Sequence, residues 1–157
     1  MSPTADQAHA IIDDHAYLVL GTSDAGGTPW ASPVYFAVEG YRDFYWVSSP
    51  ETTHSRNIGE RPQVSIVVFD SRIPIGEGQA VYMHATAEEV PAQDLQRGIE
   101  IFSRRSVAHG VTGWDVDDVR PPAPFRLYRA TASEYSMLAK DGAPDHRVPV
   151  DVARPDA

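Results

Sequence analysis

Apolar positions along this chain fall into two periods, and the two alternate in blocks. Residues 4–12 carry Ala8, Ile11 and Ile12 on one helical stripe, and Thr4 followed by Gln7 has the spacing of a capping box. Residues 17–20 form a short apolar run of strand length. The pair Gly26-Gly27 then supplies the positive φ angles that a hairpin turn requires. From Trp30 to Val38 the pattern has period two, with Val34, Phe36 and Val38 alternating against Tyr35, Ala37 and Glu39. A turn at residues 40–43 leads into residues 44–47, another strand. The pattern thus predicts three strands in meander order with short connections.

Residues 48–61 break this rhythm. They are polar, open with Ser-Ser-Pro, and predict a short helix over residues 52–59 capped by a serine or threonine. Residues 63–69 read as a buried strand, 72–78 as a loop and 79–90 as a long strand. Leu95, Ile99 and Phe102 share one side of a helix over 91–104 with Pro91 near its start. Residues 109–124 are irregular, and 125–138 form the last main strand. The stretch 141–157 reads as a C-terminal tail packed loosely or against a partner. A parallel sheet needs a helix between most strands, and the first three strands lack them. The expected fold is α+β: a mostly antiparallel, six-stranded β-barrel, closed or split, over residues 1–140, with flanking helices.

The composition narrows the chemistry. A length of 157 residues fits one domain. The net charge of -9, with no basic run to offset it, argues against a nucleic-acid partner. The absence of cysteine removes disulfides, thiolate nucleophiles and Cys-ligated metals. No apolar run has bilayer-spanning length and no signal peptide is evident, so the chain reads as cytoplasmic with no membrane partner. His9, His15, His84 and His146 lack metal-ligand spacing, and no nucleophile elbow occurs.

The polar segment after the third strand concentrates the candidate chemistry. A strand runs there into a hydroxyl-rich turn and a helix, whose N-terminus offers unpaired N–H groups and a positive dipole end to a phosphate. Thr52 and Thr53 add hydroxyl donors, while His54 and Arg56 can add positive charge. The same residues also read as a capped surface helix with two solvated basic groups. Of the three tryptophans, Trp46 lies inside an apolar strand and reads as core, whereas Trp30 and Trp114 are candidates to stack on a ring.

This segment resembles the phosphate-binding stretch of the pyridoxamine 5'-phosphate oxidase-like family. Phe44, Ser48, Glu51, Thr52, His54, Arg56 and Ile58 fall at matching places without a gap, and residues 62–68 are similar to the family's next strand. The likeness extends over roughly residues 10 to 90. It implies a split barrel that binds flavin mononucleotide (FMN), works as a homodimer and acts on a small-molecule substrate by hydride transfer at the flavin. Carried over, Ser48 and Thr52 contact the ribityl phosphate, while Thr53 and His54 stand where the family usually has Arg and Lys. Ser32, Pro33 and Val34 lie where the second strand passes the flavin ring, and Val47 and Ser48 offer main-chain groups to its edge. Gln79 is similar to the glutamine that begins the family's long strand, one register position away. Trp114 is a candidate lid contributed across the dimer.

The departure at Thr53 and His54 implies a weak or pH-dependent phosphate anchor, since histidine is only partly charged at neutral pH. It leaves open a deazaflavin coenzyme on the same barrel, or a non-enzymatic flavin- or haem-binding module with His54 or His109 as axial ligand. The Arg-Trp…Arg ending of true pyridoxamine 5'-phosphate oxidases is missing; residues 145–150 stand there instead. That argues against the vitamin B6 activity itself.

Overall fold

The structure, a computed structural model, describes residues 2–154. Helix α1 (Ala5–Asp13) starts at a complete capping box, in which the Thr4 side chain accepts from the Gln7 N–H and the Gln7 side chain accepts from the Thr4 N–H. Strands β1 (Tyr17–Ser23), β2 (Pro29–Tyr35), β3 (Ala37–Glu39) and β4 (Asp43–Ser48) follow. Helix α2 (Thr53–Glu60) leads to β5 (Gln63–Phe69) and β6 (Ala80–Glu89), then to helix α3 (Ala92–Ala108) and a 3₁₀ turn at Val116–Val119. Strands β7 (Arg126–Leu138) and β8 (Arg147–Pro149) complete the fold.

All pairings are antiparallel, in the order β2-β1-β5-β6-β7-β4-β3, with β8 added to the far end of β7. The first and last strands of this order are consecutive in the chain, separated only by Phe36. The sheet therefore curls until its two ends share one kinked segment. The sequence pattern predicts that segment as a single strand in a meander, and the structure corrects this. Up to Tyr35 it pairs with β1, and from Ala37 onward with β4, while β1 and β4 lie on opposite sides of the sheet order. Phe36 and Ala37 are both buried, which a regular alternation does not allow, and their adjacency marks the kink. Counted through the kink, six strands make the barrel.

The barrel interior holds Leu18, Leu20, Phe36, Phe44, Trp46, Ile66 and their neighbours, with Ala8 and Ile12 of α1 and Ile58 of α2 packed in. Trp46 is fully buried, as its place in an apolar strand predicts. A second cluster lies under α3, where Ile99 and Phe102 meet Ala37, Tyr45 and Leu127. Gly98 permits this approach: a Cβ there would lie 2.9 Å from Leu127 Cδ2 and 3.0 Å from Tyr45 Cε1.

The segment expected as a loose tail is held to the barrel over its described length. β8 pairs with β7, Val152 is buried at 1% exposure in the main core, and the Arg154 N–H donates to the Gly40 carbonyl over 2.9 Å. The His9 ring bonds the Val152 carbonyl through Nε2 at 2.7 Å, stacks on Tyr41, and receives Arg154 at Nδ1 over 3.0 Å. An arginine always donates, so Nδ1 accepts and Nε2 carries the proton. Residues 148, 150 and 152 are valines in strict alternation, a strand signal that the intervening Pro149 conceals.

Candidate functional site

Strand β4 delivers Ser48 to the lead-in of α2, because Phe44, Trp46 and Ser48 share one face of the strand. Thr52 is the N-cap of α2, and its Oγ1 accepts the Ser55 N–H at 3.2 Å. The single proton of that hydroxyl lies between Ser55 Oγ at 2.7 Å and the Ser49 carbonyl at 3.1 Å. Ser55 Oγ in turn donates to the Ser49 carbonyl at 2.9 Å. These bonds fix the turn, so the first N–H groups of α2 project from a rigid frame. Thr53 is exposed at the first helical position.

His54 is not the solvated base that the sequence allows. It is buried, and its Nε2 lies 2.9 Å from Ser48 Oγ. Burial pushes its pKa below the ordinary histidine value, so the ring is neutral at pH 7. Arg56 is exposed and bonded to Glu51 at 2.5 Å. Neither residue is thus a free cation. The helix faces the barrel through three polar residues, His54, Ser55 and Asn57, and one apolar residue, Ile58. Asn57 donates to Thr22 Oγ1 on β1 at 3.0 Å, and Tyr128 of β7 bonds Ser55 and stacks on Trp46. Such a face carries no apolar stripe, which is why the sequence does not announce how deeply α2 is seated.

Thr22 also lines a cavity of about 580 Å³ on the outer barrel face, with Trp30, Ser65 and His84 around it. Trp30 is 49% exposed there. Gly21 forms part of the lining, and a Cβ at that position would lie 2.4 Å from Ser65 Oγ.

The structure thus brings Ser48, Thr52, Thr53, His54 and Arg56 together, with Val47 beside Ser48 on β4 and strand β2 in contact with α2, and of the remaining candidates it sets Gln79 far off. Ser32 is half-buried and Pro33 exposed on β2, while Val34 is buried in the barrel core and turns its side chain away from solvent. Val47 packs into the cluster under α3. Gln79 acts as a surrogate for backbone: its Nε2 donates to the Leu138 carbonyl at 2.9 Å, and its Oε1 accepts from the N–H of Leu138 at 2.8 Å. Ser48 pairs with Arg126, at the other end of β7, about 40 Å away along the strand. Trp114 packs edge-on against Phe102 and Phe125, and its backbone N–H donates to Ser103 Oγ. Two features escape the sequence pattern: the Ser48–His54 bond, and the Tyr35 hydroxyl lying 2.6 Å from Nδ1 of exposed His109. Among the described residues no cluster of three or more metal-ligating side chains occurs, and no helix is long and apolar enough to cross a membrane.

A family model described as pyridoxamine 5'-phosphate oxidase matches residues 4–139. No curated protein matches the sequence. Among solved structures, the haem-storage protein HutZ of Vibrio cholerae is similar at 21% identity and a TM-score of 0.65, over 82% of this chain and 89% of that one. A haem-binding protein of Mycobacterium smegmatis is similar at 17% identity and a TM-score of 0.72, over 97% of this chain but only 63% of that one. A Clostridium acetobutylicum protein related to general stress protein 26, of the pyridoxinephosphate oxidase family, is similar at 11% identity and a TM-score of 0.63, over 92% and 93% of the two chains.

Proposed function

Because the chain belongs to the pyridoxamine 5'-phosphate oxidase family, we propose that it binds FMN, anchors the cofactor phosphate at the first turn of α2, and serves as a flavin-dependent oxidoreductase. The observation that carries this reading is the hydroxyl frame around that turn. Ser48 and Thr52 flank a helix N-terminus held rigid by the Ser49 carbonyl, and such a terminus attracts a phosphate through its N–H groups and dipole. When bound, the flavin supplies the redox chemistry. The chain's own residues hold the phosphate, orient the ring and shape the pocket. Trp30 and the cavity it borders offer an open, partly apolar surface for a ring.

The weakness of positive charge is our reason for favouring FMN over its rivals. A deazaflavin coenzyme, with its longer anionic tail, needs more cations than an Arg56 already paired to Glu51 provides. Haem needs an accessible imidazole, and the His54 Nε2 is bonded to Ser48. One observation favours haem as a second reading: His109 is exposed and its Nδ1 is fixed by the Tyr35 hydroxyl, the kind of outer contact that orients a metal-ligating imidazole. We further propose a homodimer. Gln79 lies at the end of β7 opposite Ser48, and a second copy brings an equivalent glutamine to the flavin.

The visible spectrum of protein purified without added cofactor, with mass analysis of the ligand released by heat, tests these readings. A flavin spectrum with FMN released supports the first, and a Soret band lost in His109→Ala supports the second. A colourless protein that takes up neither FMN nor haem overturns both.

A further inference from the structure

The buried pair of Ser48 and His54 carries an inference that rests on FMN binding at α2 and goes beyond it. His54 is 9% exposed and bonded to Ser48 Oγ. The charged and titratable groups on the elements around it are otherwise engaged. Beside it, Glu51 and Arg56 bond each other. On β7, Arg126 donates to the carbonyls of Ala123 and Phe125, and Tyr128 bonds Ser55. Glu89 of β6 acts on Tyr128, and the group that β1 presents to α2, Thr22, is neutral and holds Asn57. Among the described residues no carboxylate pairs with the imidazole, and burial alone governs its protonation.

We propose that His54 is a proton-linked phosphate anchor: neutral while the site is empty, and protonated when the cofactor phosphate reaches the first turn of α2. A buried imidazolium with no counter-charge is costly, whereas a neutral imidazole is easily accommodated. The phosphate dianion supplies the missing counter-charge. Once protonated, Nε2–H donates to Ser48 Oγ, which turns the serine O–H outward as a donor to the phosphate. Cofactor binding thus takes up a proton, and affinity falls as pH rises through the His54 pKa of the complex. A lysine at this position would carry its charge throughout and bind without that dependence.

The test compares FMN with riboflavin, which lacks the phosphate, by quenching of flavin fluorescence in phosphate-free buffers from pH 6.5 to 9. In this range the phosphate ester is mostly dianionic, with its second pKa at about 6, so the ligand's own titration contributes little. The expected FMN dissociation constant rises by up to about tenfold per pH unit, while that of riboflavin stays level. His54→Gln keeps a bond to Ser48 but does not titrate; it binds FMN weakly with a flat profile. His54→Lys binds tightly with a flat profile. Wild-type protein that binds FMN with no pH dependence, or a slope that survives in His54→Gln, overturns the inference and leaves FMN binding standing. Failure to bind FMN at any pH overturns both.

Discussion

Replacing Val152 by alanine tests whether the C-terminal segment is part of the core. The side chain is 1% exposed and packs with the barrel residues, two positions before Arg154 joins the Gly40 turn. Removing two methyl groups forfeits about 1.6 kcal/mol of transfer free energy. An unfilled void of about 50 Å³ adds about 1.2 kcal/mol. The expected loss is about 3 kcal/mol, or a fall in Tm of about 6–12 °C for a chain of this size. Urea and thermal unfolding followed by circular dichroism measure it, with unchanged m-value showing that only the native state was altered. Ile75→Ala serves as the control, since Ile75 is wholly exposed and its loss should stay within about 0.5 kcal/mol. A Val152→Ala protein as stable as that control would refute the docked C-terminus and the β8 pairing with it.

Three further outcomes follow from local chemistry. His54 has a depressed pKa in the folded protein, so its neutral form contributes stability above pH 6.5 that is lost as pH falls from the unfolded value toward the folded one; Tm of cofactor-free protein should drop between pH 7 and 5, and His54→Gln should flatten the drop. Thr52→Ala removes the α2 cap and should cost about 1 kcal/mol in urea unfolding while raising the FMN dissociation constant. Gly98→Ala gains about 1 kcal/mol of helix propensity, but its Cβ meets the buried Leu127 and Tyr45, and overpacking of about 1–3 kcal/mol should leave a net loss in the same assay.

Local features were the ones legible in the sequence. The Thr4–Gln7 capping box, the β5 run at Gln63–Phe69 and the Thr52 cap depend on neighbours a few residues apart, and each occurs where the pattern puts it. The kink at Phe36 was not legible, because alternation continues through Val34 and Phe36 while the pairing partner changes from β1 to β4. At the candidate site, residue types indicated a helix N-terminus with hydroxyls, and this is present. What the types did not indicate was direction. His54 turns inward to Ser48 rather than outward, and Gln79 bonds the backbone of a residue 59 positions away. Both depend on tertiary contacts that spacing does not encode.

The place of β7 between β6 and β4 has a consequence for synthesis of the chain. β4 and β6 each take one partner from upstream and the other from β7, whose residues 126–138 emerge last of the long strands. Until then a nascent chain carries two unsatisfied strand edges, the kind of template that recruits other chains. Closure then comes late and joins residues about 40 to 90 positions apart. Truncation anywhere before Leu138 should therefore yield aggregation rather than a smaller stable barrel, and the hazard should be greatest while translation pauses between β6 and β7.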